Sequence, residues 1–185
     1  SEEKFSALFQ ASPDPISVSR IRDGVFTEVN PSFSETFGWS PEQIVGRSAP
    51  EVNFWVDPDH RRRLFEKLMA EKALNNEEAQ FRTRDGHVLT CQVSSRFLRI
   101  NRQMCITSTF RDITERQRAE AALKASQEKF AKAFHSSPDA ITITERDTAR
   151  YIEVNEGFCR LNGYSAEEVI GRTALEINVW ADPSE

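Results

Sequence analysis

The first thirty residues alternate between apolar and polar positions in a way that predicts one helix and two strands. Residues 2–10 show the spacing of a helix with one apolar stripe. Residues 16–19 and 25–29 alternate with the period of strands, and Asp23-Gly24 between them is typical of a hairpin turn. The pattern therefore predicts a helix followed by a β-hairpin.

Three short helices are predicted to follow the hairpin. Asn30, Ser40 and Asp57 each precede a proline, an order that places a side-chain acceptor at the N-cap and proline in the first turn. The third helix is predicted to present residues 61–63, three arginines, to solvent. Its inward stripe is predicted to consist of Leu64, Phe65, Leu68 and Met69.

Three longer strands are predicted at residues 77–83, 88–100 and 104–113. Asp-Gly at residues 85–86 and Asn-Arg at residues 101–102 are the predicted turns between them. Two strands, several short helices and three strands indicate an α+β domain, in which helices cover one face of an antiparallel sheet.

An uninterrupted helical pattern then covers residues 114–134. Thr114 and Gln117 have the spacing of a capping box at its start. Small and apolar residues recur at alternating spacings of four and three, which predicts a coiled-coil seam that needs a partner helix. We therefore expect a homodimer through the seam of Ala119, Leu123, Ser126, Phe130 and Ala133.

Composition and charge argue against nucleic-acid binding, membrane contact and a metal site. The 185 residues carry a net charge of −5, which argues against nucleic-acid binding. Apolar runs fall short of the roughly 18 residues that a membrane span needs, so no membrane contact is expected. Cys91, Cys105 and Cys159 are widely spaced, which favours the cytoplasm and argues against a zinc or other metal site. The first residue is serine, so we expect a piece of a longer protein.

The chain contains a tandem repeat. When it is shifted by 125 residues, 23 of the 56 positions from 3 to 58 are identical. The unit that starts the chain is copy one, and its repeat is copy two. Ser-Pro-Asp at residues 12–14 recurs at 137–139, and Trp55, Asp57 and Pro58 recur as Trp180, Asp182 and Pro183. Copy two therefore stops before the equivalents of the three later strands.

Six motifs follow one another along copy one: Phe9 to Asp14, Glu-Val-Asn-x-x-Phe ending at Phe33, Gly38-Trp39-Ser40, Ile44 to Arg47, Phe81 to Gly86, and Arg111 to Arg116. In this order and spacing they resemble the PAS (sensory box) family. The resemblance implies an α+β PAS fold, a five-stranded antiparallel sheet in the order 2-1-5-4-3 with helices on one face. It also implies a sensory role upstream of an output domain, commonly a histidine kinase or a diguanylate cyclase.

The resemblance divides the chain into four parts. Residues 1–12 form a linker helix, 13–113 a first PAS domain, 114–137 a signalling helix, and 138–185 a truncated second PAS domain. In the family, Asp-Ile-Thr marks the exit from the last strand into the signalling helix, so Asp112 and Thr114 are the expected signal relay. A plain helix cap is the alternative interpretation of the same residues.

The cofactor is unknown. Light-sensing family members carry a reactive cysteine soon after Gly-Arg, whereas Gly46-Arg47 is followed by serine and alanine, so flavin-thiol photochemistry is not expected. Haem-binding members use a histidine on the long helix. His60 lies in that helix but in its first turn, so a surface histidine is favoured over a haem ligand.

A pocket beneath the helices is the candidate ligand site, but the favoured interpretation of its aromatic residues is that they pack against one another and fill the core. No catalytic motif is present, so the chain is not expected to be an enzyme. Three functions stay open: a small-molecule sensor, a ligand-free dimerisation and transmission module, and a haem-type gas sensor. The candidate pocket residues are Phe37, Phe54, Trp55, Phe65, Leu68, Met69, Phe81, Phe97 and Phe110.

Overall fold

The structure is a computed structural model that describes residues 2–179, with side chains from residue 6 onward. The recurring Trp180, Asp182 and Pro183 lie outside the described residues. In chain order the elements are α1 (Glu2–Ala11), β1 (Ile16–Arg20), β2 (Phe26–Val29), α2 (Pro31–Phe37), α3 (Pro41–Ile44), α4 (Pro58–Glu71), β3 (Ala73–Arg82), β4 (Val88–Ile100), β5 (Gln103–Asp112), α5 (Thr114–Ser136), β6 (Thr142–Thr144), β7 (Tyr151–Val154), α6 (Glu156–Asn162) and α7 (Ala166–Val169).

The first five strands form one antiparallel sheet in the order β2-β1-β5-β4-β3, which confirms the predicted fold class and strand order. Asn101 and Arg102 make the turn between β4 and β5 with φ angles of 46° and 65°, as a two-residue type I′ hairpin requires. β3 begins earlier than predicted, at Ala73. A register irregularity between Leu74 and Glu77 interrupts the alternation that the prediction relied on.

Helices α2 to α4 cover one face of this sheet, where phenylalanine rings form the core. Neighbouring rings in this cluster have centroids 4.8–6.2 Å apart, within the range of favourable tilted and edge-to-face pairs. Each of these side chains is at most 3% exposed. The cluster consists of Phe33, Phe37, Phe54, Phe81 and Phe110.

Helix α1 packs against the other face of the sheet through a second, smaller cluster. Phe9 is buried there with Val18 of β1 and Cys105 of β5. Leu8, which shares the predicted apolar stripe of this helix, is 75% exposed. Among the α1 residues whose side chains the structure describes, Phe9 makes the buried contact with the sheet.

The side chain of Asn30 joins three elements of copy one and is fully buried. Its Oδ1 accepts hydrogen bonds from the backbone N–H of Ile16 at 2.8 Å and of Phe33 at 3.0 Å. Its Nδ2 donates to the carbonyls of Phe9 at 3.2 Å and Asp14 at 3.0 Å. The predicted N-cap is confirmed, and the same amide also holds the end of α1 and the start of β1.

Helix α4 faces the sheet with a narrower stripe than predicted. Asp57 caps its start as expected, and Leu64 and Leu68 are buried. Phe65 and Met69 are instead 38% and 40% exposed. Because neighbouring residues point about 100° apart around a helix, these two lie at the edge of the stripe and are partly exposed, where the prediction placed them inward.

Copy two repeats the asparagine arrangement within its own residues. The Oδ1 of Asn155 accepts from the N–H of Ile141 at 2.8 Å and of Phe158 at 2.9 Å. Its Nδ2 donates to the carbonyls of Phe134 at 2.9 Å and Asp139 at 2.8 Å. Because Phe134 belongs to α5, this amide holds the last turn of that helix.

The described part of copy two contains one β-hairpin, β6 and β7, with α6 and α7. This confirms that only the first part of the second PAS domain is present. Its buried apolar cluster is small, and Ile141 beside the hairpin is 38% exposed. Contacts divide the chain into two units after Arg118, within α5. Among the described helices, none combines the length and the apolar character needed to cross a membrane.

Replacing Asn30 with aspartate should lower the free energy of unfolding at neutral pH by about 3–5 kcal/mol. The carboxylate would face the carbonyl oxygens of Phe9 and Asp14, to which the amide now donates. Burial would raise the folded-state pKa of the new carboxyl above about 3.9. The folded state would then bind the extra proton, so the penalty should grow as pH rises above about 4.

Urea unfolding of Asn30→Asp at pH 5 and pH 8 checks this, with Asn101→Asp in the exposed turn as the control. Asn101→Asp should change the unfolding free energy little. An equal effect of the two substitutions would contradict the role assigned to the Asn30 amide.

A second prediction separates the phenylalanines of the core from those at its edge. Phe81→Ala should cost about 3–5 kcal/mol because it empties a fully buried ring position. Phe65→Ala removes the same atoms from a side chain that is 38% exposed and should cost clearly less. Thermal or urea unfolding of both variants checks the difference, and equal losses would refute it.

Candidate sensory cavity and helix junction

A cavity of about 80 Å³ lies between α4 and the sheet. Its apolar wall includes Trp55, Phe65, Leu68 and Phe110. Trp55 is held in place by a backbone bridge to Phe81 and by a ring contact with a centroid separation of 4.6 Å. The volume suits a ligand of a few heavy atoms, since drug-sized ligands occupy roughly 300 Å³ or more.

The nine predicted pocket residues are divided among the cavity wall, the aromatic core and the partly exposed surface. Trp55, Phe65, Leu68 and Phe110 line the cavity. Phe37, Phe54 and Phe81 pack ring against ring in the core, and Phe97 is partly buried at its edge. Met69 is 40% exposed. Packing among the aromatics therefore takes up much of the space that the prediction gave to a ligand.

Three polar residues also line the cavity: Arg61, Ser95 and Ser108. The two serine hydroxyls lie 2.8 Å apart and share a hydrogen bond. The prediction of a solvated arginine face was wrong for Arg61, which contributes to the cavity wall and is half-buried, while Arg62 and Arg63 are exposed. Burial lowers the pKa of the Arg61 guanidinium from its ordinary value.

The exit from β5 into α5 is hydrogen-bonded to two other strands. The N–H of Ile113 donates to the carbonyl of Thr90 at 2.9 Å, and the N–H of Thr90 donates to Thr114 Oγ1 at 2.9 Å. Gln117 Nε2 donates to Glu78 Oε2 at 2.9 Å. The first turn of α5 is thus attached to β4 through Thr90 and to β3 through Glu78.

The predicted capping box at this junction was wrong. Thr114 Oγ1 bonds with the backbone of Thr90 instead of a helix N–H, and the side chain of Gln117 extends to Glu78. The carboxylate of Asp112 takes the capping role, because its Oδ1 accepts from the N–H of Thr114 at 2.8 Å. The two expected relay residues, Asp112 and Thr114, are therefore in direct contact at the strand-to-helix junction.

Two open grooves flank the first turn of α5. The larger, of about 990 Å³, has Asp85, His87 and Asp112 in its wall. The smaller, of about 260 Å³, contains Asp57 and His60. His60, considered above as a haem ligand, therefore lies in a polar surface groove outside the cavity beneath α4.

Burial keeps the thiol beside the junction protonated, and a hydrogen bond favours the ionised form of Asp85. Cys91 lies opposite Asp112 in the β4–β5 register. Burial, and then the charge of Asp112, raise the pKa of Cys91 to about 12, so the thiol stays protonated at neutral pH. A hydrogen bond from the Thr83 hydroxyl, and then the charge of His87, lower the pKa of Asp85.

The five predicted seam residues of α5 are all exposed: Ala119, Leu123, Ser126, Phe130 and Ala133. The two large ones dominate this surface, with Leu123 61% and Phe130 59% exposed. The ring of Phe130 stacks on that of Phe134 at a centroid distance of 5.8 Å, and Phe134 itself is buried.

Comparison with known proteins assigns both copies to one family. The family model described as PAS fold matches residues 3–113, and the one described as PAS domain matches residues 128–184. The crystal structure of a PAS domain from Colwellia psychrerythraea shares the fold, with a TM-score of 0.53 at 18% identity. That match covers 62% of this chain and 98% of the other.

Two curated relatives are longer proteins. Sporulation kinase E of Bacillus subtilis is 26% identical over 178 residues, which cover 96% of this chain and 23% of the kinase. The methyl sulfide methyltransferase-associated sensor of Methanosarcina acetivorans is 31% identical over 126 residues, 66% of this chain and 12% of the sensor. The chain spans less than a quarter of either relative. With a family match over each copy and a sheet of the expected order, the chain belongs to the PAS domain family.

Proposed function

We propose that the chain is a sensory relay, in which copy one passes changes in its sheet to α5 and thereby to an output domain. The observation that carries this proposal is the attachment of the first turn of α5 to two strands, through Thr114 to Thr90 and through Gln117 to Glu78. A helix end that is hydrogen-bonded to the Glu78 side chain of β3 and to the Thr90 backbone of β4 is expected to follow a shift of these strands.

The same strands bound the cavity beneath α4. Val93 and Ser95 of β4 line it, as does Leu74 of β3. A ligand or a change in packing there acts on the strands whose neighbouring residues hold α5. Because a packed core changes between discrete arrangements rather than deforming smoothly, a small change at the cavity is expected to select a different orientation of the helix.

The relatives support an output outside this chain. One is named a sporulation kinase and the other a methyltransferase-associated sensor, and this chain corresponds to less than a quarter of each. We place the chain in a two-component type of signalling protein, with a histidine kinase as the first choice of output and a diguanylate cyclase as the second. The three free cysteines support a reducing compartment such as the cytoplasm.

The relay is tested by perturbing the sheet and observing the helix. Val93→Ala leaves a space in β4, at a side chain that is 2% exposed. We expect it to shift the NMR amide resonances of residues 118–124 in α5. In a Thr114→Val, Gln117→Ala background these shifts should largely disappear, while in a Gln127→Ala background they should persist.

The Thr114→Val substitution alone should lower the unfolding free energy by about 1–2 kcal/mol, because it leaves the N–H of Thr90 without its partner. The relay proposal fails if Val93→Ala leaves α5 unchanged, or if the shifts survive loss of both junction side chains.

We also propose that α5 pairs with the α5 of a second copy of the chain. Leu123 and Phe130 are seven residues apart on one face and more than half exposed. Knobs-into-holes packing against an identical helix would cover both. The small residues between them bury little area, so these two side chains are expected to dominate the contact.

Analytical ultracentrifugation tests this pairing. Leu123→Glu with Phe130→Glu should shift the protein from dimer to monomer, because it places acidic groups in the seam. Ala121→Glu with Ala125→Glu, on the opposite face of the same helix, adds the same charges and should leave the dimer intact. A dimer that survives the seam substitutions, or a wild-type monomer, would exclude α5 as the interface.

A further inference from the structure

The three consecutive arginines of α4 have different surroundings. Arg62 Nη2 lies 3.1 Å from Asp59 Oδ1, and Arg63 Nη2 lies 3.8 Å from Asp57 Oδ2. Both pairs are on the surface. The guanidinium of Arg61, in contrast, forms no hydrogen bond or ion pair with any residue that the structure describes.

The position of Arg61 follows from the phase of the helix. It precedes Leu64 by three residues and Leu68 by seven, so all three lie on the face that α4 turns toward the sheet. Its guanidinium reaches the turn between β1 and β2, where a Cβ added to Gly24 would lie 3.2 Å from Arg61 Nη2. Glycine in this turn leaves room for the arginine beside the cavity.

An arginine in this position is unfavourable without an anion. Withdrawing a cation from water is costly unless a partner compensates its charge. Burial lowers the pKa of Arg61, but a guanidinium remains protonated in proteins. Within the described chain, the cavity therefore has a positive charge on its wall and no carboxylate paired with it.

We propose that the cavity beneath α4 binds a short-chain aliphatic carboxylate, with the carboxylate group on Arg61. The assignment deepens the proposed relay and rests on it, because this ligand would be the signal that the sheet passes to α5. A planar guanidinium binds a carboxylate through two parallel N–H···O hydrogen bonds. The apolar wall of Leu64, Leu68, Ile106 and Phe110 then accepts the hydrocarbon tail.

The size of the cavity limits the length of the tail. A dry apolar cavity of about 150 Å³ can hold a benzene molecule, and this cavity has about 80 Å³. Acids of two to four carbons are the expected class. Inorganic anions match the arginine but not the apolar wall, so they should bind more weakly.

Isothermal titration and NMR titration of the full chain with sodium propionate test the site. Binding in the millimolar range should shift the Trp55 indole and Ile106 methyl resonances. Affinity should rise by about threefold to fourfold per methylene from acetate to propionate, until the chain exceeds the cavity. Propionamide, which has nearly the same shape and no charge, and an equal concentration of sodium chloride should produce little change.

Matched substitutions isolate Arg61. Arg61→Gln should weaken propionate binding by at least about tenfold, and Arg61→Lys by less. Arg62→Gln, next to it on the surface, should bind as the wild type does. Equal binding of propionate by Arg61→Gln and Arg62→Gln, equal binding of propionate and propionamide, or no binding up to about 100 mM would each overturn the proposal.

Thermal unfolding distinguishes a variant that has lost ligand binding from one that has lost its fold. Without ligand, Arg61→Met should melt no lower than the wild type, because it removes an uncompensated charge. Propionate should raise the melting temperature of the wild type but not of Arg61→Met. A large loss of stability in unliganded Arg61→Met would show a structural role for the arginine and overturn its assignment as an anion receptor.

Different results would refute the carboxylate proposal and the relay proposal. If propionate shifts the Trp55 resonance but not the amides of residues 118–124, the ligand site stands and the relay is refuted. If Val93→Ala moves α5 but propionate does not bind, the relay stands and the carboxylate assignment is refuted.

Discussion

The buried amide of Asn30 is the interaction on which copy one depends. Helix termini and strand ends leave backbone groups without partners in regular secondary structure, and burying such groups unpaired is costly. A single primary amide has both donors and acceptors, so at this position it satisfies an N–H of β1, an N–H of α2 and two carbonyls from the segment before β1. These hydrogen bonds hold the start of α2, the helix that carries Phe33 and Phe37 into the aromatic core.

The same arrangement at Asn155 means that α5 is hydrogen-bonded near both of its ends. The first turn of the helix is bonded to β3 and β4 of copy one, and its last turn carries the carbonyl of Phe134, which accepts from Asn155 of copy two. Between these ends its residues are exposed. A helix held near both ends and exposed along its middle is consistent with the proposed relay and the proposed helix pairing.

The elements and their order could be predicted from the sequence because they depend on local signals. Caps such as Asp57, the turn at residues 101–102 and the strand alternation all lie within a few residues of the feature they define. The 125-residue repeat predicted two copies of one domain, of which the second is incomplete in this chain. The start of β3 was missed because a bulge breaks the period of the strand.

The site was less predictable, since its chemistry depends on contacts between distant residues. The partners of the Asn30 Nδ2 are backbone carbonyls 16 and 21 residues away, and carbonyls have no sequence signature. Arg61 was grouped with its neighbours by residue type, although its spacing from Leu64 and Leu68 could have placed it inward. Ser95 and Ser108 come together only because β4 and β5 pair in this register.

Tandem copies of one fold can exchange segments while they fold, and the first turns of α2 and α6 differ in a way that opposes such exchange. In copy two, a Cβ on Gly157 would lie 2.3 Å from the carbonyl oxygen of Asp139. The equivalent residue in copy one is Ser32, whose hydroxyl donates to the carbonyl of Ser12 at 2.6 Å. Helix α2 placed in copy two would bring a side chain into that carbonyl, and α6 placed in copy one would remove the hydroxyl that donates to the Ser12 carbonyl. The residue at this one position, Ser32 in α2 and Gly157 in α6, therefore disfavours exchange of the two helices between the copies.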